Sequence, residues 1–379
     1  MILTGIVGFL IVALVLWEAF ETIVLPRRVT RRFRLTVLFY RGTWLFWRGV
    51  ARRIRNKKSR DLLLGIYGPL SLLCLFVLWA TGLILGFGIM YFAASRHELH
   101  VPSLGTCFYM SGTNFFTLGL GDVQPHNSIE RVLAVVESGL GFGFLALVLS
   151  YLPVIYQAFS RREVNIVLLD ARAGSPPSAA ELLRRHSGPG GHDALQVLLH
   201  EWERWSAELL ESHISYPVVS YFRSQHANES WLAALTPILD TSALLISGAE
   251  SACSRQARLT FAMCRHTVVD LAQVFYAAPR ATSHDRLPHA DLSRLRKSLA
   301  TIGWLLADTP AADEKLTKLR DMYEPYVVAL GRHLAFELPP WILAKEVADN
   351  WKTSAWGRIT GYSANPAPES EPAIDDHSD

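Results

Sequence analysis

The chain has 379 residues, half of them apolar and 19% charged, with a formal net charge of +3. The mean hydropathy is positive and the apolar residues crowd before Ser160, which excludes a wholly soluble chain and describes a membrane module joined to a soluble one. Four cysteines, Cys74, Cys107, Cys253 and Cys264, have no paired spacing, so neither a disulfide framework nor a zinc site is expected, and no nucleic-acid partner is expected either.

Residues 1–26 read as a transmembrane helix. Ile2 to Leu25 is apolar and uncharged up to Glu18, long enough to cross a hydrocarbon core of ~30 Å at ~1.5 Å per residue. A cleaved signal peptide wants positive charge ahead of its apolar run, and no Lys or Arg precedes Arg27. Thirteen Lys and Arg, and no acid, follow between Pro26 and Arg60. By the positive-inside rule this sets the N-terminus outside and residues 27–60 in the cytoplasm of a multi-pass protein of the plasma (cell inner) membrane.

Within residues 27–60, aromatic and aliphatic residues from Phe33 to Ile54 alternate with Arg41, Arg48, Arg52 and Arg55 at helical spacing. The pattern predicts an interfacial helix with Trp44 and Trp47 at headgroup depth and those arginines facing anionic lipid, so membrane lipids are expected partners. A voltage-sensing helix is the alternative, but Arg28, Arg31 and Arg34 lack the apolar filling such a helix carries.

Residues 61–160 hold the stretch that carries chemistry. Leu62 to Ser95 is uncharged and predicts an outer helix, followed by a polar link from Arg96 to Val101. Pro102-Ser103 then starts a short re-entrant helix with Ser103 as N-cap, and its apolar run ends at Phe116. Irregular backbone at membrane depth is tolerated only where protein or a water-filled path surrounds it. The sequence that follows is Thr117-Leu-Gly-Leu-Gly-Asp122. A dehydrated cation needs a cage of oxygens, and backbone carbonyls supply one where glycines at alternate positions allow the required dihedrals. The Thr117 hydroxyl adds oxygens at the inner end, and Asp122 sets a cation-attracting charge at the mouth. Val132 to Phe159 predicts the inner helix, with Arg161 and Arg162 at the cytoplasmic boundary.

Thr117, Gly119, Gly121 and Asp122 between two spanning helices resemble the pore loop of the potassium-channel superfamily, whose filter is commonly written Thr-Val-Gly-Tyr-Gly-Asp. The resemblance covers about residues 62–160. It implies a passive cation channel and no enzyme, with K+ at the carbonyls of Thr117, Leu118, Gly119, Leu120 and Gly121, no cofactor, and a homotetramer because one chain supplies one loop. It implies gating candidates at Gly141, which also suits tight helix packing, and at Pro153. Filter support falls to Tyr109 at the collar position, to Thr113, where some channels place an acid that pairs with the filter aspartate, and to Glu137. This carboxylate suits a structural role, hydrogen-bonded to Thr113, Asn114 or a backbone amide. Leu120 replaces the usual tyrosine and donates no hydrogen bond, so a weakly selective or sodium-permeable channel is the alternative.

Beyond Arg162 the character changes. Val164 to Asp170 predicts a strand or a continuation of the inner helix, inside a linker at 161–192 with a short helix from Ser178 to His186. Residues 193–362 predict a cytosolic helical domain. Its segments are Asp193–His213, Val218–Gln225, Glu229–Ser247, Ala252–Ala277, Ala290–Ala307, Ala311–Glu337 and Pro340–Trp356. A Pro- and acid-rich tail at 363–379 is expected to be disordered. His200-Glu-Trp-Glu203 lacks the second histidine of a metal helix, and no Gly-x-Gly-x-x-Gly follows a strand. The aromatic and polar stretch Tyr216 to His226 suits either core or a pocket. The fold expected is thus an all-α membrane protein, with outer helix, pore helix, filter and inner helix, an extra N-terminal spanning helix, and a soluble all-α domain. That domain would answer to an unidentified gating ligand or partner. The rival reading from another class is a membrane-tethered helical signalling domain with a non-conducting pore.

Overall fold

The computed structural model describes residues 2–25, 34–95, 102–224, 230–248, 253–279 and 285–343. Among these, all regular structure is helical, and the chain divides into two compact units, residues 1–157 and 158–379. The protein is an all-α membrane protein: helices at Ile2–Val24, Lys57–Ala94 and Ser128–Ala173 are long and apolar enough to span a bilayer.

In the first unit, α1 (Ile2–Ala19) ends in a π-helical turn, Phe20–Val24. Helix α2 (Leu35–Arg53) follows, then α3 (Lys57–Ala94), the re-entrant α4 (Leu104–Phe115) and the first part of α5 (Ser128–Ala173), whose residues from Ala158 on belong to the second unit. Helix α3 is the hub. Its Gly82-Leu-Ile-Leu-Gly86 places two small residues one turn apart on the side facing α1, where Val15 lies against Gly82 and Val12 against Gly86. A Cβ on Gly8 would come within 2.6 Å of the Gly86 carbonyl, so these backbones meet as in small-xxx-small membrane packing. A side chain on Gly88 would strike the Phe108 ring, which fixes how closely α4 approaches α3.

At its other end α1 is tied by polar groups. Glu18 is buried and accepts from the Thr36 amide and hydroxyl at 3.2 and 3.1 Å, while Glu21 lies 3.7 Å from Arg34. These bonds hold the start of α2 against α1.

The second unit holds α6 (Ala179–Arg185), α7 (Gly191–Ser215), a 3-10 turn (Pro217–Tyr221), α8 (Trp231–Gly248), α9 (Ser254–Val274), α10 (His289–Ala300), α11 (Pro310–Asp321) and α12 (Glu324–Leu334). Helix α8 is also apolar enough to cross a membrane, yet every residue from Trp231 to Leu245 is buried. A helix apolar on all sides and enclosed by its neighbours is a core helix. Its one acid, Asp240, accepts a fork from Arg286 at 2.7 and 3.2 Å and the Tyr323 hydroxyl. Arg286 also binds Glu324 at 3.1 Å, and burial opposes its charge, but Asp240 and Glu324 outweigh burial and raise its pKa.

Several expectations need correction. Within 161–192, α5 runs on to Ala173, so of the two readings of Val164–Asp170 the helix continuation holds and the strand does not. The segment Ala311–Glu337 is two helices, broken at Tyr323 where Pro325 enters the first turn of α12. Helix α10 stops at Ala300, and Gly303 at φ +91° turns the chain so that the Trp304 amide reaches the Leu299 carbonyl at 3.0 Å. In place of the expected helix Val218–Gln225 stands a 3-10 turn, Pro217–Tyr221, and Val218, Val219, Ser220, Tyr221 and Phe222 are buried core; Gln225 and His226 lie outside the described residues. Residues 340–343 are not helical; the rest of Pro340–Trp356, the tail, and the link Arg96–Val101 lie outside the described residues.

Candidate functional site

Ser103 caps α4, its Oγ accepting from the Thr106 amide at 3.1 Å. At the other end the helix closes with the Thr117 amide on the Asn114 carbonyl at 3.0 Å and the Leu118 amide on the Thr113 carbonyl at 2.8 Å. The chain then leaves helical geometry in an alternating way. Thr117, Gly119 and Gly121 have φ of +54°, +58° and +79°, whereas Leu118 and Leu120 between them stay out of that region. In a strand successive carbonyls point to opposite sides; alternating the sign of φ brings them to one side, as a carbonyl ladder requires. Positive φ is easy for glycine but strained for a β-branched residue, so Thr117 holds a state that only its surroundings sustain. The loop lies in the open: Leu118 and Leu120 are 60% and 62% exposed, and a Cβ on Gly119 or Gly121 would meet no atom of this chain within 4 Å.

Behind the loop, polar groups join three helices. Glu137 on α5 is fully buried and accepts from Ser111 on α4 at 2.5 Å and from Tyr91 on α3 at 2.9 Å. Asn114 donates to the Tyr91 oxygen at 3.1 Å, and Ser138 reaches the Asn114 carbonyl at 3.2 Å. Glu137 thus bonds to Ser111, Tyr91 and the expected Asn114, but not to Thr113, whose hydroxyl turns back to the Met110 carbonyl at 2.8 Å. Asp122 is bound by the Tyr109 hydroxyl at 2.8 Å.

A second buried carboxylate went unforeseen. Glu130 accepts from Ser95 at 2.6 Å and from the His126 amide at 2.8 Å, while Asn127 accepts from the Glu130 amide at 2.9 Å. The signal was present: Asn127-Ser-Ile-Glu130 is a capping-box pattern at the start of α5.

A family model described as "Ion channel" matches residues 73–157, the stretch from within α3 through the loop to the end of the first unit. This stretch is an ion-channel pore module. The chain is also similar to the uncharacterized membrane protein YdjJ of Bacillus subtilis (strain 168), 22% identical over 266 residues, which is 68% of this chain and 74% of that protein. No solved structure matches.

In the pore module, Gly141 sits where any Cβ would collide with the Phe115 carbonyl at the end of α4, which is the geometry of close packing; Gly139 and Gly143 face open space. Pro153 lies inside α5, which continues through it.

The lipid-facing set needs one correction. Trp44 is 2% exposed, its ring 4.8 Å from that of Tyr67 on α3, and Trp47 donates to the Leu63 carbonyl at 2.9 Å. These tryptophans pack against α3 instead of facing outward, because Tyr67 across the α2–α3 hairpin offers them an aromatic partner. Arg41, Arg52 and Arg55 are exposed and Arg48 is half-buried.

Proposed function

We propose that four copies of this chain form a potassium channel whose filter is a ring of the four Thr117–Asp122 loops. The observation that carries the reading is the alternation of positive φ at Thr117, Gly119 and Gly121 in a loop that its own chain leaves uncovered. Four such loops about one axis would close the carbonyl cage that one cannot, in keeping with the preference of homo-oligomers for closed symmetry. Permeation is passive, needs no cofactor, and has K+ as its ion. In this reading the N-terminus is outside and the second helical unit is cytoplasmic, set to answer a ligand or partner. The permeability ratio in planar bilayers tests it: a reversal potential that follows the K+ gradient and ignores the Na+ gradient is expected.

A weakly selective, sodium-permeable pore is the second reading, favoured by Leu120. That side chain is exposed and apolar, and it cannot brace the loop with a hydrogen bond as a tyrosine would. A reversal potential midway between the K+ and Na+ values would select it. A scaffold with a closed, vestigial pore gives no current under any gradient.

A further inference from the structure

Helix α2 is held by one face only. Tyr40, Thr43, Trp44, Trp47 and Ala51 turn towards α3, where the Thr43 and Tyr67 hydroxyls lie 2.9 Å apart and the Trp44 and Trp47 rings lie 4.8 and 6.0 Å from that of Tyr67. Only residues 54–56 separate the two helices, and Asn56 caps α3 by accepting from the Lys58 amide at 2.9 Å, so α2 is braced on the base of the outer helix.

The opposite face is apolar and open. Leu38 is 69% and Phe46 72% exposed, with Leu35 and Leu45 beside them. At 100° per residue, Arg41, Arg48 and Arg52 fall together on one edge of that face, and Arg53 and Arg55 follow at its end. The stretch between Pro26 and Arg60 contains no acid. Large exposed apolar side chains bordered by the exposed cations Arg41 and Arg52, on a helix set between two membrane-spanning ones, complement one surface: acyl chains beneath anionic headgroups.

We propose that this face of α2 is an anionic-phospholipid site, Leu38, Leu45 and Phe46 entering the acyl layer and Arg41 and Arg52 taking the headgroup phosphates, and that its occupancy regulates the pore module through the braced outer helix. Each arginine that reaches the leaflet contributes up to about fivefold in lipid binding. The regulatory part rests on the channel reading; the binding part does not.

The test uses the purified full chain in liposomes of phosphatidylcholine alone or with one quarter phosphatidylglycerol. Phosphatidylglycerol retained after detergent extraction is counted by native mass spectrometry, and cation flux is measured on the same preparations. Expected are retained phosphatidylglycerol in the wild type, roughly tenfold or greater loss in Arg41→Gln/Arg52→Gln, a similar loss in Leu38→Ser/Phe46→Ser, and flux that rises with phosphatidylglycerol in the wild type alone. Inorganic phosphate at millimolar concentration should displace none of the lipid; displacement would make this a free-anion site and overturn the proposal. Equal retention by wild type and the arginine variant also overturns it. Charge-dependent retention with flux indifferent to lipid overturns the regulatory part. Charge-dependent retention without flux in any lipid leaves the site standing and counts against the channel reading.

Discussion

Gly119 and Gly141 would fail for opposite reasons if each were replaced by alanine. At Gly119 there is room for the methyl group but the backbone sits at φ +58°, where a side chain costs about 1–2 kcal/mol. Gly119→Ala should therefore assemble normally and lose conduction at least tenfold, read as flux at equal protein. At Gly141 the backbone is helical and the space is taken by the Phe115 carbonyl, so Gly141→Ala should lower stability as well as flux. Glu137→Ala would leave the Tyr91 hydroxyl without its acceptor in a buried site, while Ser111 keeps the Ile84 carbonyl at 2.8 Å, and should lower stability by about 1–3 kcal/mol, measured by thermal unfolding in detergent; an unchanged midpoint would contradict its bracing role. The loop glycines and Ser103 were legible in the sequence because their requirements are local. Of the partners of Glu137, Asn114 was legible, but Ser111 and Tyr91 were not, since Tyr91 lies 46 residues away and only helix packing brings it near.

Among the elements, helices with strong periodicity were readable and their ends less so. Gly303 and Pro325 both marked stops that continuous apolar spacing overrode. Helix α2 shows a different limit: periodicity located its amphipathic pattern, but which aromatic residues meet protein and which meet lipid depends on Tyr67 in the next helix. Helix α8 would read as a membrane span by hydropathy alone, and its neighbours' packing makes it a core. Because Asp240 lies in that core, Arg286→Met should leave a buried carboxylate without its counter-charge and destabilise the helical unit by about 3–5 kcal/mol; a shift under 1 kcal/mol would deny the pair its role.

The helical unit should also be acid-sensitive. His213 is fully buried, and burial, then Arg162 at 3.4 Å, hold its pKa well below 6.5. The unfolded chain therefore binds this proton more readily, so stability is full above pH 6.5 and falls as pH drops towards the folded value. His213→Gln should flatten the part of the stability-versus-pH curve just below 6.5; an unaltered slope would mean that other groups set it.

For the whole molecule, the division into a membrane module and a helical unit was visible in the fall of apolar density after Ser160, because membrane helices need unbroken apolar length. Architecture within the helical unit was less visible, since its core joins segments as distant as Asp240 and Arg286. The proposed filter is a ring of four loops, so native mass measurement in detergent should give four chains per particle; a stable monomer would remove the closed cage on which the proposed conduction depends.

Cation flux into liposomes holding the purified full chain, wild type beside Gly119→Ala, bears most directly on the Thr117–Asp122 loop as a filter. The predicted result is K+ uptake well above Na+ uptake in the wild type and neither in the variant at equal tetramer content. Flux of equal size and selectivity in the two proteins, or no flux in the wild type at any lipid composition, would contradict it.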